Sequence, residues 1–349
     1  MRVLEPVVVA CAGIVSLSCS VSQAIFSDAA PALDAGTDAR IDAGIDGPPA
    51  LTTPSCTQLP RTCGATGTDD CCASPLIPGG TYFRSYDLAG DGAYSSMDFP
   101  ATISAFRLDK YEVTVGRDRA FVNAGQGTQQ QPPAVNAGAH ARIANSGWLQ
   151  EWNASLPQDA TAQLTSLKCD PSTQVWTDGP GANERRPVNC VSWFDAMAFC
   201  AWDGGFLPTE AEWNYAAAGG AEQRAYPWSV PASSLAIDTT QASYACLGDG
   251  VPSCTLEDVG LVGTRPAGDG RWQHADLGGN LHEWVKDSTA NYPVPCTDCA
   301  SLLPAVSSSK LFRGGSFDRA ERDVRTGYRI ATSATGRLRF VGVRCARSP

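Results

Sequence analysis

Apolar and polar residues alternate at Phe106-Arg107-Leu108-Asp109, which predicts a half-buried strand. A second short strand is predicted at Thr81-Tyr82-Phe83, behind the turn Pro78-Gly79-Gly80. Helical signals follow. Thr114 is placed to cap a helix whose apolar contacts are Val115, Phe121 and Val122. Ser192-Trp193-Phe194-Asp195 puts a hydroxyl at an N-cap and a carboxylate three residues later, and Ala196, Phe199 and Cys200 continue as a buried stripe. Thr209-Glu210-Ala211-Glu212 repeats that device. It opens a helix through Trp213 and Tyr215 to Ala218, which Gly219 and Gly220 end. Between these helices, Gln126 to Pro133 reads as a polar loop. The stretch around Trp148 and Trp152 reads as a helical or irregular insert. Beyond Gly220 the pattern gives short strands and turns but no regular helix. Few elements, 34 Gly, 24 Pro and nine Trp together predict an irregular α+β domain that leans on bridges, aromatic packing and ions.

The first part of the chain has a different character. Val7 to Leu17 is an apolar run behind Arg2, too short to span a bilayer, and it reads as a signal-peptide core over residues 1–19. Ser16-Leu17-Ser18-Cys19 resembles a lipoprotein cleavage box, so export ends either in lipidation at Cys19 or in plain secretion after a later cut. Residues 20–55 form an acidic Asp/Ala/Gly/Pro tether. Asp34, Asp38, Asp42 and Asp46 recur among glycines and prolines that oppose a helix. The expected location is the cell envelope, as an outer-membrane lipoprotein, or otherwise the medium. Any membrane contact would run through the lipid anchor alone.

Charge and cysteine content agree with export. The formal net charge is −10, which gives no attraction for phosphate backbones and argues against a nucleic-acid partner. Fourteen cysteines are too many for a reducing cytosol without metal. A Cys-rich segment, 56–76, holds Cys56, Cys63, Cys71 and Cys72. Adjacent Cys71 and Cys72 pair poorly with each other, so each is expected to reach back to Cys56 or Cys63. No histidine stands near them, so bridges are favoured over zinc. Cys246/Cys254 and Cys296/Cys299 are spaced to staple their own loops, although Cys296-Thr-Asp-Cys299 also has redox-motif spacing.

Several blocks in the remainder, 77–349, carry a resemblance. They include Pro78-Gly79-Gly80-Thr81-Tyr82-Phe83, Asp109-Lys110-Tyr111-Glu112-Val113-Thr114 and Arg186-Pro187-Val188-Asn189-Cys190-Val191-Ser192-Trp193. Leu207-Pro208-Thr209-Glu210-Ala211-Glu212-Trp213, Tyr226-Pro227-Trp228 and Gly279-Asn280-Leu281-His282-Glu283-Trp284 follow, then Arg313-Gly314-Gly315-Ser316-Phe317 and Gly342-Val343-Arg344. In this order, from about Cys72 to Pro349, they resemble the formylglycine-generating enzyme (sulfatase-modifying factor) family. The resemblance implies a large, irregular, C-type-lectin-like α+β fold. It also implies oxidation of a sulfatase cysteine to formylglycine, with oxygen and Cu(I) held by two cysteine thiolates just after the Gly-Gly-Ser segment. Here Arg319 and, a few residues on, Val324 fill those places. Neither side chain gives copper a sulfur donor, so the copper site of the family is not expected.

Other family features are expected to survive. The resemblance implies a bridge between Cys200 and Cys345. It also implies a calcium site formed by the carboxylates of Asp276 and Glu283 and the carbonyls of Gly279 and Leu281, hard oxygen donors suited to Ca²⁺. The functional expectation is a catalytically silent, calcium-stabilised surface module that binds a peptide, glycan or protein partner through the former substrate face. Arg313, Ser316, Arg319 and Arg325 are the candidate face residues. In the bland alternative these arginines merely pair with Asp318, Glu321 or Asp323. The competing function is an oxidoreductase with an altered metal site. A non-heme iron triad would have to be drawn from His274, His282 and Glu283, since His140 lies in the insert. Iron and copper are both disfavoured, and no nucleophile-elbow pattern supports a hydrolase.

Overall fold

The computed structural model describes residues 53–57, 59–303 and 308–349. The chain divides into two units, 1–48 and 49–349. The expected signal segment with Cys19, and the tether as far as residue 52, lie outside the described residues.

Three small sheets carry the second unit. β1 (Leu76–Ile77) pairs with β4 (Phe106–Leu108), which pairs with β9 (Ala346–Arg347), so the chain's end closes the sheet begun at its start. β2 (Gly80–Phe83) and β3 (Pro100–Ile103) form an antiparallel ribbon. The largest sheet runs in the order β7-β6-β5-β8, from β5 (His282–Ser288), β6 (Ser309–Arg313), β7 (Ile330–Ser333) and β8 (Val341–Gly342). Both strands expected from the alternation are present, as β2 and β4. The seven-residue β5 was not expected, because every residue in it is buried although Glu283, Lys286 and Asp287 interrupt its apolar run.

Four α-helices accompany these sheets, and α3 and α4 pack against β5. Thr114 caps α1 (Val115–Asn123) by accepting the Arg117 N–H. α2 (Ala160–Ser166) lies in the insert, after a 3-10 turn at Gln150–Ser155. α3 (Trp193–Trp202) and α4 (Glu210–Ala217) begin with the two expected capping boxes, Ser192/Asp195 and Thr209/Glu212. Each box supplies partners to amides that the first turn leaves unbonded. After α4 the helical segments among the described residues are all 3-10 turns. The main core gathers Trp148, Trp152, Trp193, Phe194, Phe199, Trp284 and Phe312, so the insert's tryptophans are interior residues.

Six disulfides lock the described residues. Cys56–Cys72 and Cys63–Cys71 resolve the N-terminal group, and Cys246–Cys254 and Cys296–Cys299 staple their loops. Cys200–Cys345 ties α3 to the chain's end. Cys169–Cys190 is a further pair that spacing did not single out. This many bridges marks an oxidising compartment. The Cys-rich segment packs onto the main body through Asp69, which accepts from Lys110 Nζ and the Tyr111 hydroxyl, and Ser55 just before it does the same. Ser55 N–H donates to Asp203, and Ser55 Oγ accepts from Arg117 Nε. Arg117 and Arg347 both bridge Asp109 and Asp203 in a fully buried ring of charges. No helix among the described residues is long and apolar enough to cross a membrane.

Candidate functional site

The turn that leads into β5 is bent by three left-handed residues, Asp276 (φ 56°), Gly279 (φ 84°) and Asn280 (φ 60°). A side chain at Gly279 would strike the Ser243 carbonyl, 2.4 Å from the Cβ position, so glycine is required. Asn280 bridges two segments, taking the Gly260 N–H on its oxygen and donating to Glu112 at 2.7 Å. Glu112 also accepts the Leu281 N–H. Burial, reinforced by Asp276 and Glu283, holds the Glu112 carboxyl well above the usual carboxylate range. Burial also raises Asp276, whose Oδ2 accepts the Gly263 N–H.

Glu283 is engaged more completely. Its oxygens accept from Arg344 Nε and Nη2 and from the Trp213 indole at 2.7 Å. Arg344 gives its remaining donors to the carbonyls of Asp109, Lys110 and Ala275. Three buried carboxyl groups thus lie near one buried guanidinium, which is ion-paired to Glu283, and a hard cation would have to draw on the oxygens left over. Asp276 and the turn carbonyls are the donors such an ion would use, and Glu283 would be shared with Arg344. Glu112 and Arg344 were not singled out in advance. The available signal was a charged residue between apolar neighbours, Tyr111-Glu112-Val113 and Val343-Arg344-Cys345.

The segment expected to carry the candidate face residues follows β6. Gly315 must be glycine, because its Cβ would fall 2.7 Å from Val324 Cα. Three of the four candidate face residues are not on a face, which corrects the expectation for them. Arg313 is fully buried and bonds Glu210, Ser85, Tyr292 and the carbonyls of Thr326 and Tyr328. Ser316 is buried and donates to Asp318 at 2.8 Å. Arg325 is buried between Asp87 and Asp91, with its guanidinium over the Tyr94 ring. A buried guanidinium needs a carboxylate, and each of these two found one contributed by a distant segment. Only Arg319 reaches solvent, with its side chain 32% exposed, 3.6 Å from Asp318 and stacked 4.7 Å over Phe340. Val324 is sealed among Tyr226, Trp228, Ala242 and Tyr244.

The histidines are dispersed. His282 packs among Phe312, Tyr328 and Phe340, and burial beside Arg319 pushes it down to about 3. His274 Nε2 lies 3.1 Å from the Leu108 carbonyl, and burial pushes this ring too to about 3. His140 pairs with Glu212 of α4. Glu283 is committed to Arg344, so the triad drawn from His274, His282 and Glu283 is not assembled. Among the described residues no group of three His, Cys, Asp or Glu is arranged around a metal position.

Comparison with known proteins identifies the family. Residues 64–349 match the model of the sulfatase-modifying factor enzyme 1-like domain, and the chain belongs to that family. A formylglycine-generating enzyme of Thermomonospora curvata is 28% identical over 78% of this chain and 92% of its own. The inactive C-alpha-formylglycine-generating enzyme 2 of Mus musculus is 31% identical over 49% of this chain and 53% of its own. Among solved structures, PvdO from Pseudomonas aeruginosa superposes with a TM-score of 0.55 at 19% identity, over 79% of this chain and 94% of that one.

Proposed function

We propose that this chain is an exported sulfatase-modifying-factor domain without copper-dependent cysteine oxidation, which acts as a calcium-stabilised binding module. One observation carries the reading. All twelve cysteines among the described residues are in disulfides, and the two positions that should bear thiolates hold a stacked arginine and a core valine. A soft monovalent copper ion needs thiolate donors, and this chain offers none there. The partner is a peptide, glycan or protein that presents an acidic group to Arg319, the one candidate face residue that reaches solvent. Calcium at Asp276, Gly279, Leu281 and Glu283 offsets the buried carboxylates beside Arg344. A lipid anchor at Cys19 would display the module on the cell envelope.

The test incubates the purified full chain with Cu(I), oxygen and a sulfatase-type cysteine peptide and follows aldehyde by mass spectrometry. No product above blank is expected, and aldehyde formation defeats the reading. Elemental analysis of the same sample should find calcium, and chelation with EGTA should lower the melting temperature. An unchanged melt removes calcium from the proposal.

A further inference from the structure

A separate cavity of about 410 Å³ opens where the insert meets β5 and β6. It shares no residue with the turn or the segment described above. Trp152 and Trp193 form an aromatic wall, Leu149 and Leu303 add apolar lining beside the polar Asn145 and Ser146, and Lys286 and Lys310 lie at the floor. Both lysines are almost wholly buried. The chain has four lysines. Lys110 and Lys168 pair with Asp69 and Asp178, whereas neither floor lysine has a carboxylate within ion-pair distance among the described residues. A buried cation without a counter-ion is unfavourable in a low dielectric. Here two such cations occur together, in a chain of net charge −10, at the base of the same concave site.

Their existing bonds indicate what would fit. Lys286 Nζ donates to the carbonyls of Gly138 and Ser146 and approaches Met197 Sδ. Lys310 Nζ donates to the Lys286 carbonyl and to Ser288 Oγ, and its charge rests 4.1 Å over the Trp193 ring. The ring contact is the weakest of these and the one that exchanges most readily for an anion. The floor therefore offers one strong donor with a second positive charge behind it. That suits a single carboxylate, whereas a phosphate dianion would leave most of its acceptors unmet. The aromatic wall suits an apolar body, and Glu151 at the solvent edge opposes a second acidic group further out.

We propose that this pocket binds a monocarboxylate on an apolar chain or ring, its head at Lys310 and Lys286 and its body along Trp152 and Trp193. Octanoate is the probe, titrated against the tryptophan fluorescence of the full chain with octan-1-ol as the uncharged comparison. Saturable binding of octanoate below about 10 mM is expected, at least about tenfold tighter than octanol. Lys310→Met keeps the length and apolar character of the side chain and should remove that tenfold preference. Equal affinity for acid and alcohol in the wild type overturns the proposal, as does a preference that survives in Lys310→Met. If that variant does not fold, the comparison of acid with alcohol decides alone.

Discussion

The two ends of the β5–β6 strand pair bury charge in opposite ways. At one end Glu283 stands across from Arg313, and both are satisfied, Glu283 by Arg344 and Trp213, Arg313 by Glu210 and Tyr292. At the other end Ser288 stands across from Lys310, and Lys310 and Lys286 meet carbonyls, a hydroxyl and an aromatic ring but no acid. The same sheet thus carries a closed ionic lock at one end and a pair of buried lysines with no carboxylate at ion-pair distance at the other. A satisfied buried pair fixes a packing arrangement. An unsatisfied one, beside a cavity, leaves free energy available to a ligand that brings the missing charge.

Breaking the lock should have the largest effect. Arg344→Met strands Glu283 and frees three carbonyls, and is expected to cost about 3–5 kcal/mol. Calorimetry should show this as a melting temperature lower by roughly 10 °C. Arg313→Met should cost less, about 2–3 kcal/mol, because Arg329 still holds Glu210 at 2.7 Å. Were the two losses reversed, Arg313 and not Arg344 would be the centre of the lock.

Substitution at the opposite end should be mild. Lys310→Met removes an uncompensated charge and is expected to change stability by less than about 1 kcal/mol, with either sign, in chemical denaturation. A loss as large as that of Arg344→Met would show that Lys310 has an ionic partner in solution and erase the contrast. A further signal is in pH. Burial pushes Lys286 down to about 7 and Lys310 to about 8, with Glu212 and Asp287 resisting the shift for Lys286 and Asp287 for Lys310. The unfolded chain then binds more protons than the folded one from about pH 7 up to about 10.5, so stability rises with pH in that window. The wild-type melting temperature should climb by about 2 °C or more between about pH 7 and pH 9 if other titrations are equal. The double variant Lys286→Met/Lys310→Met should lose this climb.

Much of the fold was legible because its signals are local. Capping boxes at Ser192 and Thr209 need only neighbours three residues away, and they start α3 and α4 where expected. β5 was missed because strand patterns are read from apolar alternation, and this strand carries Glu283, Lys286 and Asp287 into the interior. Charges become compatible with burial only when distant segments supply partners, and no local pattern reports that. The candidate face failed for the same reason. Arg313 and Arg325 look like surface arginines until Glu210 and the Asp87–Asp91 loop arrive to enclose them.

The order of residues alone determined the missing sulfur donors at Arg319 and Val324, the helix starts and the family, since each depends on which side chain occupies a position. Tertiary structure decided which charges are locked, that Cys169 pairs with Cys190, and where a cavity remains with two lysines at its base. Those outcomes depend on groups far apart in sequence meeting in a low dielectric, where the presence or absence of one partner changes a charge from a scaffold element into an unmet demand.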